Sequence, residues 1–185
     1  MLILAITGMP GAGKTTASQA LETMGLKRIA MGDMIREETK RRGLHPDDKN
    51  MGMVMRDVRE KYGPGAVAEL CLQRIEPMKN EKVMVVDGVR SAVEVDVFKR
   101  AGEVKLLAIH ASRERRFALL TKRKRTDDPL DIKSFDARDD RELSIGIGGA
   151  IALADEVISN EHLTREELGK AAITLATRWI GSVGK

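Results

Sequence analysis

The chain has 185 residues, 42% hydrophobic and 32% charged, with a formal net charge of +4. That length suits one domain with a buried core and small inserted lobes. No apolar run approaches the ~20 residues of a membrane helix, and the opening MLILAI lacks the length and basic flank of a secretory signal, so a cytoplasmic chain without a membrane partner is expected. The single Cys71 excludes an intramolecular disulfide, and the three histidines show no metal-ligand spacing.

Residues 2–7, LILAIT, read as a strand buried on both faces: short, apolar and without alternation. GMPGAGKTT follows, from Gly8 through Met9, Pro10, Gly11, Ala12, Gly13, Lys14 and Thr15 to Thr16. It matches G-x-x-x-x-G-K-[ST] between a strand and a helix, the context that this phosphate-binding loop requires. Glycines let backbone N–H groups curl around phosphate oxygens, and the helix start adds its positive dipole end. Lys14 reaches the β- and γ-phosphates and Thr15 is a Mg²⁺ ligand, so the expected ligand is ATP with Mg²⁺.

Residues 14–24 form a helix with Ala17, Ala20, Leu21 and Met24 on one face, stopped at Gly25. A short strand is expected over 26–31, then a helix with Asp33 as its N-cap. Asp47 and Asp48 open a further helix with Met51, Val54, Met55 and Val58 on one stripe. GPG at 63–65 precedes a helix over 66–75. KVMVVDG, 82–88, is a second buried strand, and its Asp87 falls at the ligand edge as a candidate for the Mg²⁺ or its water shell. Ser91 caps a helix through Arg100, and 104–111 is another strand. SRERRFALLTKRKR, 112–125, is helical and carries seven basic residues against one Glu. With few aromatics for base stacking, nucleic acid is a less favoured partner but stays open. A polar loop is expected over 127–136 and a helix over 136–143. EVIS at 156–159 is a short edge-like strand, and Thr164 with Glu167 forms a capping box.

Strands alternating with helices imply an α/β fold, a three-layer architecture around a five-stranded parallel sheet. One domain is expected: a core of 1–31, 82–112 and 150–185, with mostly helical insertions over 32–75 and 113–145.

MGDMIREE at 31–38 resembles the acceptor-site helix of adenylate kinases and other nucleoside monophosphate kinases, with Met31 where those usually carry Thr. VVDGVR at 85–90 is similar to their DGFPR, without the Phe-Pro spacing. RTDD at 125–128, followed by Arg138 and Arg141, resembles their lid pattern. ADEVISN at 154–160 is similar to the C-terminal strand of dephospho-CoA kinases. As a whole the chain resembles an archaeal, adenylate-kinase-related P-loop kinase family. That resemblance implies a P-loop kinase fold with 32–75 as a helical acceptor-binding insertion and 113–145 as a short lid, Asp33, Arg36 and Arg90 at the acceptor, and Arg123, Arg125, Arg138 and Arg141 on the transferred phosphoryl group. The expected activity is ATP- and Mg²⁺-dependent phosphoryl transfer to a small phosphorylated acceptor, a nucleoside monophosphate first and dephospho-CoA as the alternative. A nucleotide-switched ATPase that binds RNA or protein is the alternative outside kinases. Fixed arginines suit such chemistry, because a moving phosphoryl group concentrates negative charge and guanidinium binds it bidentately.

Overall fold

The computed structural model describes residues 1–123, 128–129 and 131–182. Its first strand, β1 (Leu2–Thr7), is buried along its whole length. Leu2, Leu4 and Ile6 turn to one face of the sheet and Ile3 and Ala5 to the other. Period-two side-chain alternation thus sends an unbroken apolar run into two cores at once, as a central parallel strand requires.

α1 (Lys14–Glu22), β2 (Lys27–Ala30), α2 (Met31–Arg41), α3 (Asp48–Tyr62), α4 (Ala66–Ile75) and β3 (Val83–Val89) follow. Then come α5 (Ala92–Lys99), β4 (Glu103–His110), α6 (Arg113–Arg123), α7 (Ile132–Ile145), α8 (Ile147–Ala152), β5 (Glu156–Ser159) and α9 (Arg165–Ser182). The five strands lie in the order β2-β3-β1-β4-β5, and every pairing is parallel.

One core packs Ala17 and Leu21 of α1 with Leu168, Ala172, Ala176 and Trp179 of α9 against the sheet. The other gathers α2 to α5 around Met84, Val86 and Phe98. The helices that leave β1 and β3 therefore pass to opposite faces. Between the C-terminal ends of these neighbouring strands lies the crevice where open α/β sheets bind ligands.

Local chemistry sets most boundaries. Asp47 accepts from the Asn50 amide, Ser91 from the Glu94 amide and Asp131 from the Ser134 amide, so α3, α5 and α7 each begin at a side-chain cap. Two expectations are corrected. Asp33 is not an N-cap: α2 begins at Met31, straight out of β2, and Ala30 stands at the cap. The polar loop expected over 127–136 ends early, because the Asp131 capping box starts α7 at Ile132 and Phe135 is fully buried. Among the described residues no helix is long and apolar enough to cross a membrane.

Candidate active site

α1 differs from α3, α5 and α7 in having no side-chain cap at its start. Its first-turn amides, at Lys14, Thr15 and Thr16, are left without intrahelical partners by helix geometry. They open on a cleft of about 690 Å³ lined by the phosphate loop, α6 and the segment between β5 and α9. A large cleft at an uncapped helix start, with a lysine in its floor, suits a polyphosphate. The Lys14 Nζ bends back over the loop and donates to the carbonyls of Gly8 at 2.6 Å and Met9 at 3.1 Å. An ammonium has three hydrogens, so one remains for an incoming oxygen. Burial lowers the Lys14 pKa to about 8, with the Asp87 carboxylate acting in the opposite direction.

The loop is held by residues far away in sequence. Gly13 has φ 112, and a Cβ there would stand 2.6 Å from Asn160 Nδ2 and 2.7 Å from a Leu168 methyl. Asn160 is buried and donates through Nδ2 to the Ala12 carbonyl at 2.8 Å. From the other side, the buried Arg116 donates to the Pro10 carbonyl at 3.2 Å. The glycines thus serve packing of the loop as well as access to its amides. Sequence reading missed Asn160; its only signal is a polar residue directly after an edge strand whose end meets the loop.

Asp87 faces α1, because it alternates with Val86 on the other face of β3. It accepts from Ser18 Oγ at 2.8 Å, and Arg28 lies 3.7 Å away. Thr15 lines the cleft itself. No group of three or more metal-ligating side chains occurs among the described residues. This donor set fits Mg²⁺, which takes one or two protein oxygens and keeps water and phosphate for the rest.

Beyond Asp87 the β1–β3 register slips between Ile6 and Thr7, with Gly88 as the extra residue, and Thr7 Oγ1 donates to the Val89 carbonyl at 2.7 Å. Arg90 follows this bulge. Its amide donates to Glu94 at 2.6 Å and its Nε to Glu142 at 2.8 Å. Glu94 is fully buried and also binds Arg59 of α3 at 2.5 Å. Ser91 and Glu94 stand at capping-box spacing, a signal for Glu94 that the sequence reading left unused. Burial works against both charges of the Arg90–Glu142 pair. The carboxylates of Glu142 and Glu94 nevertheless raise the Arg90 pKa, and Arg90, Arg138 and Lys14 together lower that of Glu142.

A second, smaller cavity of about 30 Å³ lies beside this pair, lined by residues of α2 and α3 together with Arg90, Arg138, Arg141 and Glu142. Arg141 donates to Asp48 at 2.6 Å, and Arg138 Nε lies 3.5 Å from the same carboxylate. Neither Asp33 nor Arg36 lines this cavity; Arg36 donates to Asp33 at 2.6 Å, and the Asp33 side chain is 52% exposed.

The arginines expected on one lid therefore divide. Arg123 pairs with Asp128 and lines the large cleft, whereas Arg138 and Arg141 line the small cavity. Arg125 lies outside the described residues. Of the basic run on α6, Arg113 pairs with Asp136 at 2.5 Å and Arg116 with Asp139 at 2.5 Å, both on α7. Much of the charge that suggested nucleic acid is spent inside the molecule.

A phosphate loop at a parallel sheet's switch point, with a buried ionic cluster beside it, defines a P-loop protein of kinase-like fold. A family model described as an AAA domain matches residues 7–136. The chain is 44% identical over 162 residues to the UPF0200 protein MJ1399 of Methanocaldococcus jannaschii, covering 87% of this chain and 82% of that one. It is 40% identical over 180 residues to a UPF0200 protein of Hyperthermus butylicus, covering 97% and 96%. The chain belongs to the UPF0200 family of archaeal P-loop proteins with this AAA-type domain. Among solved structures, TT1252 from Thermus thermophilus superposes with a TM-score of 0.68 at 16% identity, covering 97% of each chain. Shikimate kinase from Bacteroides thetaiotaomicron superposes at 0.58 and 16% identity, covering 97% of this chain and 98% of that one.

Proposed function

We propose that the protein is an ATP- and Mg²⁺-dependent phosphotransferase that moves the γ-phosphoryl group to a small phosphorylated acceptor, with a nucleoside monophosphate as first choice. The observation that carries this reading is that Lys14, in the floor of the large cleft, feels the charges of Arg90, Arg138 and Glu142, which line the small cavity, so the two spaces are close enough to couple electrostatically. A binding switch needs one nucleotide site; a transferase needs two, meeting over fixed positive charge.

In this reading residues 8–16 bind the donor phosphates through backbone amides and Lys14. Thr15 and Asp87 would hold Mg²⁺, which neutralises charge on the β- and γ-oxygens. Arg90, Arg138 and Arg141 take the acceptor's anionic group. Arg36 lies one helical turn from Gly32 of the cavity wall and is the next cation a longer acceptor meets. The bond from the γ-phosphorus to the bridging oxygen breaks, and one to an acceptor phosphate oxygen forms. That oxygen is already ionised at neutral pH, so no base is required. A hydroxyl acceptor would need one, and Asp33, the carboxylate expected at the acceptor, is bound to Arg36. In this reading α6 walls the donor cleft and keeps water from it, while α7 and residues 32–75 hold the acceptor.

The test is ADP release from MgATP with a panel of nucleoside monophosphates and dephospho-CoA. One nucleoside monophosphate should raise turnover to about 1–100 per second, as in kinases, against slow idle hydrolysis, and Lys14→Ala should abolish it. Turnover that responds to RNA or a protein, and to no small acceptor, overturns the reading.

A further inference from the structure

The arginines of the small cavity already face carboxylates of their own chain. Arg90 is held by Glu142, while Arg138 and Arg141 face Asp48. These carboxylates are not equivalent. The Glu142 side chain is 4% exposed, deep in the contact between α7 and Arg90 just after β3. That of Asp48 is 32% exposed, at the first residue of α3. An incoming anion meets Asp48 first and can return it to water without burying an unpaired charge.

The seat for this contact is built into α3. Gly52 follows Asp48 by one helical turn, and a Cβ there would stand 3.2 Å from Cζ, Nε and Nη1 of Arg141. The guanidinium therefore lies against bare helix backbone. An interior helix glycine costs about 1 kcal/mol relative to alanine, and the close approach of Arg141 is its local reason. With Asp48 in place, the cavity keeps about 30 Å³, room for one or two waters. Small-molecule sites run to roughly 300 Å³ or more.

We propose that Asp48 is an internal competitor for the acceptor's anionic group: its carboxylate occupies Arg138 and Arg141 until a phosphate dianion displaces it. The competition selects phosphorylated acceptors over acceptors bearing only a carboxylate. This rests on assigning the small cavity to the acceptor. An external monocarboxylate makes no more hydrogen bonds to the guanidinium groups than Asp48 does, yet loses translational freedom on binding. Asp48 competes from within the chain, at an effective concentration of order millimolar or higher. A phosphate brings close to two charges and three strong acceptor oxygens, enough to engage several guanidinium groups at once.

The test is calorimetric binding of inorganic phosphate and of acetate to the full chain, wild type against Asp48→Asn, at fixed ionic strength. Removing a partly buried competitor worth about 0.7–1.4 kcal/mol should tighten phosphate binding about three- to tenfold. Acetate binding should become measurable only in the variant. The gain should vanish when Arg141→Ala is added, because the seat itself is then gone. Unchanged or weaker phosphate binding in a folded Asp48→Asn protein overturns the proposal. Asp48→Ser, which suits a helix start, asks the same question if that variant does not fold. The acceptor panel reads the parent assignment separately. Tighter phosphate binding in a chain that turns over no acceptor upholds the competition and sinks the kinase reading. Unchanged phosphate binding in an active kinase does the reverse.

Discussion

Phosphate oxygens bind the ammonium of Lys14 and not the amine, so its pKa near 8 shapes the pH response. The folded value lies below the ordinary 10.5, so the charged lysine destabilises the empty fold below about pH 8. That penalty fades as pH rises from 8 towards 10.5. Nucleotide binding has the opposite slope: we predict that affinity falls as pH rises through about 8, and that binding above this pH takes up a proton. Calorimetry in buffers of different ionisation enthalpy measures that uptake, and a flat profile from pH 7 to 9.5 would count against the lowered value. Asn160 gives a second prediction. Asn160→Ala leaves the Ala12 carbonyl without its buried donor, a loss of about 1–3 kcal/mol. Both the melting temperature and nucleotide affinity should fall, because the carbonyl belongs to the loop that grips the phosphates.

The contact between α6 and α7 combines an aromatic centre with paired charges. Phe117 and Phe135 meet edge to face at 5.3 Å, and Arg116 lies 5.0 Å from the Phe135 ring centre. Arg113 and Arg116 meet Asp136 and Asp139 at matching three-residue steps. Arg116→Met should destabilise by about 3–5 kcal/mol, since it strands the mostly buried Asp139. Arg116→Met with Asp139→Leu should recover most of the loss, which urea denaturation of the three variants decides. Elements such as this mark where the sequence stops being legible. Short apolar strands, caps at Asp47 and Ser91, and the phosphate loop all declare themselves within ten residues. The pairing of α6 with α7 depends on which aspartate each arginine meets across 23 positions, and local pattern holds no trace of that. Arg138 and Arg141 looked like lid residues by resemblance. Their partner, Asp48, lies 93 positions from Arg141 and is recognisable only once α3 and α7 are set side by side.

The whole molecule has one tryptophan, Trp179, 8% exposed in the core between α9 and the sheet. Its emission should report global unfolding and coincide with loss of helix by circular dichroism, as a single cooperative domain requires. Nucleotide at 100 times its Kd should stabilise the fold by about 2.7 kcal/mol, read as a shift of that same transition. The parallel sheet and the burial of its first strand on both faces were readable from strands alternating with helices and from apolar runs; the strand order and the division of arginines between two cavities were not, because tertiary packing decides them. α7 lines the small cavity and is tied to the phosphate loop through Arg116 of α6. Asp139 on one flank reaches the Pro10 carbonyl through Arg116, and Arg141 on the other reaches Asp48. In the proposed reaction this one helix stands against the acceptor and, through Arg116, behind the loop that holds the donor. For the proposed donor and acceptor, thermodynamic reciprocity requires that whatever factor nucleotide applies to acceptor affinity, acceptor applies to nucleotide affinity.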